Sequence, residues 1–255
     1  MQSSRVVYIQ YLHLVGLKGL LLFNNQKVIA LIPARGGSKG LPRKNLARIG
    51  GRTLIELALD SAKNCSSVDE IFLSTDDAEI EDLGKSLGVK IHRRSSLNSQ
   101  DASTASDLVA EFISSLDLSR DEPNAILTYL QPTSPLRTAN HLNNAFEILA
   151  MGNSYSCVSV AEDRQTAFKS VLIDESGRVV PLFDNQFLSQ NRQAMPKTYH
   201  PNGAIYIFPI HHFLESGAFP IEGSIPLMMS MEDSIDIDNY DDLQLAQEIW
   251  ERNHG

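Results

Sequence analysis

The chain has 255 residues, 42% of them hydrophobic and 21% charged, the balance of a globular protein with a full core and not of a disordered chain. Lys+Arg 22 against Asp+Glu 31 give a net charge of -9, which argues against nucleic-acid binding and makes any local cluster of cations informative. Cys65 and Cys157 are the only cysteines, too few for a disulfide framework or a zinc ribbon, and they fit a reducing cytoplasm.

Residues 1–26 stand apart. Val6 to Phe23 is largely apolar, but Gln10, His13 and Lys18 interrupt it, so no apolar span near ~20 residues and no compact signal core is left. We read this stretch as an upstream extension and expect no membrane partner. Residues 27–255 form one domain, since single cores stop growing near ~250–300 residues.

In chain order, Val28–Ile32 is a short apolar run read as a strand, and a glycine-rich turn follows it. Leu54–Ala62 recurs at helical spacing behind Thr53-Leu-Ile-Glu56, a capping-box spacing in which side chains at both ends accept orphan backbone N–H groups. Ile71–Ser74 is the next strand, followed by a polar helix through Leu83 and Leu87, stopped at Gly88, and a brief strand Val89–His92. A helix around Leu108–Leu116, a strand Ala125–Leu130, a helix from about Ala139 to Ala150 and a strand Tyr155–Val160 continue the alternation. Such a series calls for a mostly parallel sheet covered on both faces, a doubly wound three-layer α/β fold. Lys169–Ile173 and Val179–Phe183 flank Asp174-Glu-Ser-Gly177, a hairpin signal. An antiparallel insertion from about 162 to 200 is therefore expected, as a lid or an oligomerisation arm. A strand returns at Ala204–Phe208, and Asp241–Trp250 closes as a helix with Leu243, Ala246, Ile249 and Trp250 on one side.

The densest chemical signal is Ala34-Arg-Gly-Gly-Ser-Lys-Gly-Leu-Pro-Arg-Lys-Asn45, directly after the first strand. In an open α/β sheet that is the carboxyl-end crevice where ligands bind. Neither a dinucleotide fingerprint nor a P-loop fits the glycine spacing. Three glycines allow close backbone approach, Ser38 adds a hydroxyl, and Arg35, Lys39, Arg43 and Lys44 concentrate positive charge in an acidic protein, as a triphosphate requires. A solvated basic turn is the weaker reading. Gln131-Pro-Thr-Ser-Pro-Leu-Arg137 also follows a strand; its prolines stiffen the loop, Gln131, Thr133 and Ser134 suit a base or sugar edge, and Arg137 reads as a brace for the loop. In Ser234-Ile-Asp-Ile-Asp-Asn239 a strand would turn Asp236 and Asp238 to one face, a magnesium seat beside phosphates. Capping of the following helix is the alternative.

These motifs, together with Pro201-Asn-Gly-Ala-Ile-Tyr206, resemble those of the CMP-sialate synthetases (acylneuraminate cytidylyltransferases), in order and spacing over nearly the whole chain from Lys27. The resemblance extends to CMP-legionaminate synthetases and, more distantly, to CMP-KDO synthetases. It implies a nucleotidyltransferase-like fold and a cytoplasmic homodimer using the insertion. The implied reaction passes CMP from CTP to the anomeric hydroxyl of a nine-carbon 2-keto sugar acid and releases pyrophosphate. Implied catalytic residues are Lys44, Arg35 and Asp238. Nucleotide would meet Ala34, Arg35, Gly36, Ser38, Lys39, Lys44, Asn45, Arg94, Gln131, Pro132, Thr133 and Ser134. The sugar would meet Gln131, Arg192 and Asn202, with Mg2+ on Asp236 and Asp238. Asp76 reads equally as a metal or ribose ligand or as a helix cap, and His200 as a solvated or packed histidine. Readings kept beside this one are a noncatalytic nucleotide-sugar binding module and transfer of another nucleotide on the same architecture. Which nonulosonic acid is used is not encoded in the motifs.

Overall fold

The computed structural model describes residues 26–254 apart from 39, 96, 97, 99–102, 153 and 165. The expectations for residues 1–25 and for Lys39 lie outside the described residues. The first strand, β1 (Val28–Pro33), is apolar at every position. Val28, Ala30 and Ile32 face one cluster and Ile29 and Leu31 another, so a continuous hydrophobic run is what a strand buried on both faces requires.

Two short strands, β2 (Arg48–Ile49) and β3 (Arg52–Thr53), form a hairpin that leads into α1 (Leu54–Lys63). The Thr53 hydroxyl accepts from Glu56 N at 3.1 Å and Glu56 Oε2 accepts from Thr53 N at 2.6 Å, the capping box that the spacing implies. The alternation proceeds through β4 (Glu70–Thr75), α2 (Ala78–Ser86), β5 (Lys90–Arg93), α3 (Ala105–Ser115), α4 (Leu118–Asp121), β6 (Ile126–Tyr129), α5 (Ala139–Met151) and β7 (Cys157–Glu162). The hairpin β8 (Val171–Ile173) and β9 (Val179–Pro181) and the short α6 (Gln186–Ser189) make up the insertion. After it come β10 (Tyr199–Pro209), α7 (Ile210–Ser216), β11 (Ile225–Met228) and α8 (Tyr240–His254).

The main sheet has seven strands in the order β11-β7-β10-β6-β1-β4-β5. Only β10 runs against the others, pairing antiparallel with β6 and β7, while the remaining pairs are parallel. Helices α1 and α5 pack on the Val28 face and α3 and α7 on the Ile29 face, giving three layers. Because β4 and β7 lie on opposite sides of β1 yet α1 and α5 share a face, the β6–α5–β7 crossover is opposite in hand to β1–α1–β4. Parallel crossovers nearly always share one hand, so this reversal is a distinctive feature of the fold.

Three expectations change in detail. The strand expected at Tyr155 begins at Cys157, where pairing to β10 and β11 starts, and Tyr155 is exposed. The strand expected at Ala204–Phe208 is longer, Tyr199–Pro209, with an irregular register between Pro201 and Tyr206. Ser234–Asp238 is not a strand; it is an irregular segment held by Ile237 N donating to Thr133 O at 2.8 Å.

Candidate active-site crevice

A crevice of about 560 Å³ opens at the carboxyl ends of β1, β5 and β6. The loop after β1 is built to approach it closely. Ala34 N donates to Ser74 O at 2.8 Å, Gly36 N to Asp76 Oδ1 at 2.9 Å, and Asn45 Nδ2 to Arg35 O at 2.9 Å. A Cβ on Gly40 would land on the backbone carbonyl of Asp238, so only glycine lets this loop meet the acidic segment. Lys44 opens a single 3-10 turn, Lys44–Leu46, and its Nζ lies 3.0 Å from Asp238 Oδ1.

The acidic segment brings both carboxylates to the crevice, with Ile237 between them fully buried. Ile237 packs in a satellite cluster with Leu41, Ile49, Leu54 and Ala246. One small apolar knot thus carries both the basic loop and the acidic pair. Asp236 is open to solvent, yet surrounding protein raises its carboxyl above the ordinary value; the Thr133 hydroxyl opposes that shift and the Asp238 charge adds to it. The helix-capping role falls to Asn239, whose Oδ1 accepts from Asp241 N at 2.9 Å and Asp242 N at 3.1 Å. Asp242 Oδ2 accepts in return from Asn239 N at 3.0 Å. Asp238 is therefore left free of the cap and available to Lys44.

The loop after β6 is braced from within. Arg137 is 3% exposed and donates to Gln131 O at 2.9 Å, Ala204 O at 2.8 Å and Ser61 Oγ at 3.1 Å. Burial pulls its guanidinium down to about 9. Gln131 is held against Tyr129, whose phenol is pushed up to about 12 by burial. Gly203, at φ +79, gives Gln131 the room a side chain would take.

Of the residues expected to bind nucleotide, Arg35, Ser38, Lys44, Asn45, Arg94, Gln131, Pro132 and Thr133 line this one crevice, with Asp236 and Asp238. Ala34 and Ser134 are buried beside it and do not line it. Gly36 also lies outside the lining, its amide tied to Asp76. Asn202, expected at the sugar, is turned inward: its Oδ1 accepts from Ser159 Oγ at 2.5 Å and its Nδ2 donates to Ser234 Oγ at 2.8 Å. It thereby anchors the acidic segment from below. Arg192 lies exposed on the insertion and away from the crevice of its own chain.

Arg43 does not join the cation cluster. In the left-handed region at φ 56, it pairs with Asp77 and Glu79. Asp76 is not the cap of α2; Asp77 is, accepting from Ile80 N at 3.1 Å. His200 pairs with Asp163 at 2.6 Å on the surface.

Tyr129, Ser103, Thr104 and Leu108, which none of the sequence motifs marks, also line the crevice. The signal was present in Thr104-Ala-Ser-Asp107, a box in which Thr104 Oγ1 accepts from Asp107 N at 3.1 Å and Asp107 Oδ2 from Thr104 N at 2.8 Å. It fixes the start of α3 at the crevice wall.

Asp236 and Asp238 supply hard oxygen donors, and among the described residues no third His, Cys, Asp or Glu joins them in a cluster able to hold a metal. That donor set fits magnesium, which takes one or two carboxylates and completes its shell with water and substrate phosphates. Among the described residues no helix is long and apolar enough to cross a membrane.

A family model described as cytidylyltransferase matches residues 29–214. An N-acylneuraminate cytidylyltransferase of Streptococcus agalactiae serotype V is 31% identical over 219 residues, covering 85% of this chain and 51% of the relative. A pseudaminic acid cytidylyltransferase of Campylobacter jejuni is 28% identical over 228 residues, covering 89% of this chain and 98% of the relative. The chain thus spans about half the length of the N-acylneuraminate relatives and nearly all of the pseudaminic one. The solved structure of a CMP:2-keto-3-deoxy-manno-octonic acid synthetase complexed with CTP superposes with a TM-score of 0.62 at 17% identity, covering 89% of this chain and 100% of that one. At that identity the likeness concerns the fold.

Proposed function

The chain belongs to the cytidylyltransferase family, and on that premise we propose that it transfers CMP from CTP to the anomeric hydroxyl of a nonulosonic acid, releasing pyrophosphate. The observation that carries this reading is the meeting of Lys44 with Asp238 in a crevice that Arg35 and Arg94 also line. Transfer at a phosphorus centre asks a protein mainly to position two reactants and to neutralise charge on the reacting and leaving oxygens. Arg35, Ser38 and Lys44 hold the triphosphate, and Gln131 and Asn45 read nucleotide or sugar. Asp238 is the candidate acceptor for the proton of the attacking hydroxyl, with Lys44 Nζ 3.0 Å from its Oδ1.

Asp236 and Asp238 would hold magnesium. When bound, the ion supplies charge neutralisation on the phosphate oxygens. Without it the two like charges repel, which adds to the larger effect of the surrounding protein in raising the carboxyl of Asp236.

The working form in this reading is a cytoplasmic homodimer. Hairpin β8–β9 leaves Val171, Leu172, Ile173 and Val179 exposed, a surface that a second copy would cover, and Arg192 on the same insertion would then serve the partner's crevice. Both cysteines are buried free thiols, which suits a reducing compartment.

The test is pyrophosphate release with CTP against a panel of sialic, legionaminic and pseudaminic acids and KDO, with and without Mg2+. Release with CTP and at least one nonulosonic acid is expected, dependent on Mg2+. No release with any of them, while CTP still binds, would return the protein to a binding module.

A further inference from the structure

Arg94 stands at the crevice through a buried polar relay that neither strand pairing nor the core requires. Its Nε donates to Ser74 Oγ at 3.0 Å, and the same Oγ lies 2.9 Å from His92 Nδ1. Ser74 is fully buried on β4, with its carbonyl accepting from Ala34 at the root of the glycine loop, and His92 is 5% exposed on β5. The His92 ring packs edge-on to Phe112 at 5.2 Å, and its Nε2 is buried with no partner among the described residues.

The hydrogen-bond inventory assigns a direction. Ser74 Oγ accepts from Arg94, so its own O–H is spent if it points at an unprotonated His92 Nδ1; the only orphan is then the Nε2–H. The opposite tautomer would leave both the Ser74 O–H and the Nε2 lone pair without partners, and each buried orphan is costly. Burial holds the His92 imidazole below its ordinary value, with the Arg94 charge adding to the effect and Glu111 on α3 opposing it. The neutral ring is the form this relay needs.

We propose that Ser74 and His92 are positioning residues that aim Arg94 at the nucleotide end of the crevice. The guanidinium is a rigid planar fork, so fixing Nε fixes the direction of both terminal nitrogens. Burial disfavours the Arg94 cation, as does the nearby Arg35 charge, while Tyr129, Asp76 and Glu111 oppose that effect; the bond to Ser74 Oγ holds the side chain in place against the pull of water. The inference rests on the reading of the crevice as a CTP site.

Calorimetric titration of CTP, without sugar, separates the two ideas. If the wild-type protein binds no CTP, the functional reading fails before the relay is tested. If it does, Ser74→Ala is expected to weaken CTP roughly tenfold, as loss of one hydrogen bond to a charged group does, and Arg94→Ala at least as much. The double variant should bind no worse than Arg94→Ala alone, a non-additivity that a merely structural serine does not produce. His92→Phe keeps a ring and removes the acceptor, and should match Ser74→Ala. His92→Asn places an amide oxygen near the Nδ1 position and should restore much of the affinity. Should Ser74→Ala fail to fold, His92→Phe enters the same cycle with Arg94→Ala. Unchanged CTP affinity in a folded Ser74→Ala or His92→Phe protein, or strictly additive losses in the cycle, overturns the proposal.

Discussion

Lys44 and Asp238, 194 residues apart in the chain, meet at 3.0 Å across the mouth of the crevice. Lys44 is mostly sheltered by its loop while the Asp238 carboxylate is largely exposed. A pair of that kind contributes less than about 1 kcal/mol to stability, and in the proposed reaction both groups would face the triphosphate.

Lys44→Ala is accordingly expected to lower turnover at least ~100-fold, the scale of losing one charge-stabilising group, with a melting temperature near that of the parent. Steady-state pyrophosphate release and thermal unfolding on the same preparation check this. Near-normal turnover, or a protein that no longer folds, refutes the assignment.

Asp236→Asn and Asp238→Asn keep shape and each remove one charge. Because Asn239 caps α8, Asp238→Asn should leave the helix intact yet remove most activity, and added Mg2+ should partly restore the milder of the two variants. Full activity in both at limiting Mg2+ would sink the metal assignment.

The raised carboxyl of Asp236 gives a stability test with a definite sign. A folded-state value above the unfolded one means the native state holds its proton more tightly, so this group's contribution falls as pH rises through the carboxylate range. Asp236→Asn should therefore melt higher than the parent near neutral pH, with the advantage shrinking as both are taken to acid. A variant that melts lower than the parent at neutral pH without Mg2+ contradicts the raised carboxyl of Asp236.

Arg137→Ala removes the donor to Gln131 O, Ala204 O and Ser61 Oγ. Buried acceptors left unpaired should cost on the order of 3 kcal/mol, or ~10 °C in melting temperature for a domain of this size. Denaturant unfolding and the melting curve measure it; a shift of less than ~2 °C would mean water replaces the guanidinium at no cost.

Gly40→Ala alters no charge, yet its Cβ would strike the Asp238 carbonyl and push the basic loop off the acidic segment. Turnover should fall while overall stability changes little, since the loop is at the surface. Unchanged kinetics would show that the two segments do not need this close approach.

Local patterns in the sequence determined much of the protein. Apolar runs such as Val28–Pro33 and capping pairs such as Thr53–Glu56 mark element starts because the interactions that make them lie within a few residues. The glycine loop and the Gln131 loop could be placed at strand ends for the same reason, and strand ends in a parallel sheet share one edge. Charge and spacing by themselves could not show which of those side chains face the crevice. Arg43 reads like Lys44 in the sequence but is drawn to Asp77 and Glu79, and Asn202 reads as a ligand but is consumed by Ser159 and Ser234. Cap and ligand were equally open to Asp238 until the tertiary structure gave the cap to Asn239. The reversed hand of the β6–α5–β7 crossover, the relay from His92 through Ser74 to Arg94, and the contact of Lys44 with Asp238 depend on strand order and on which helix covers which face. Those are properties of packing between distant segments, to which no local periodicity responds.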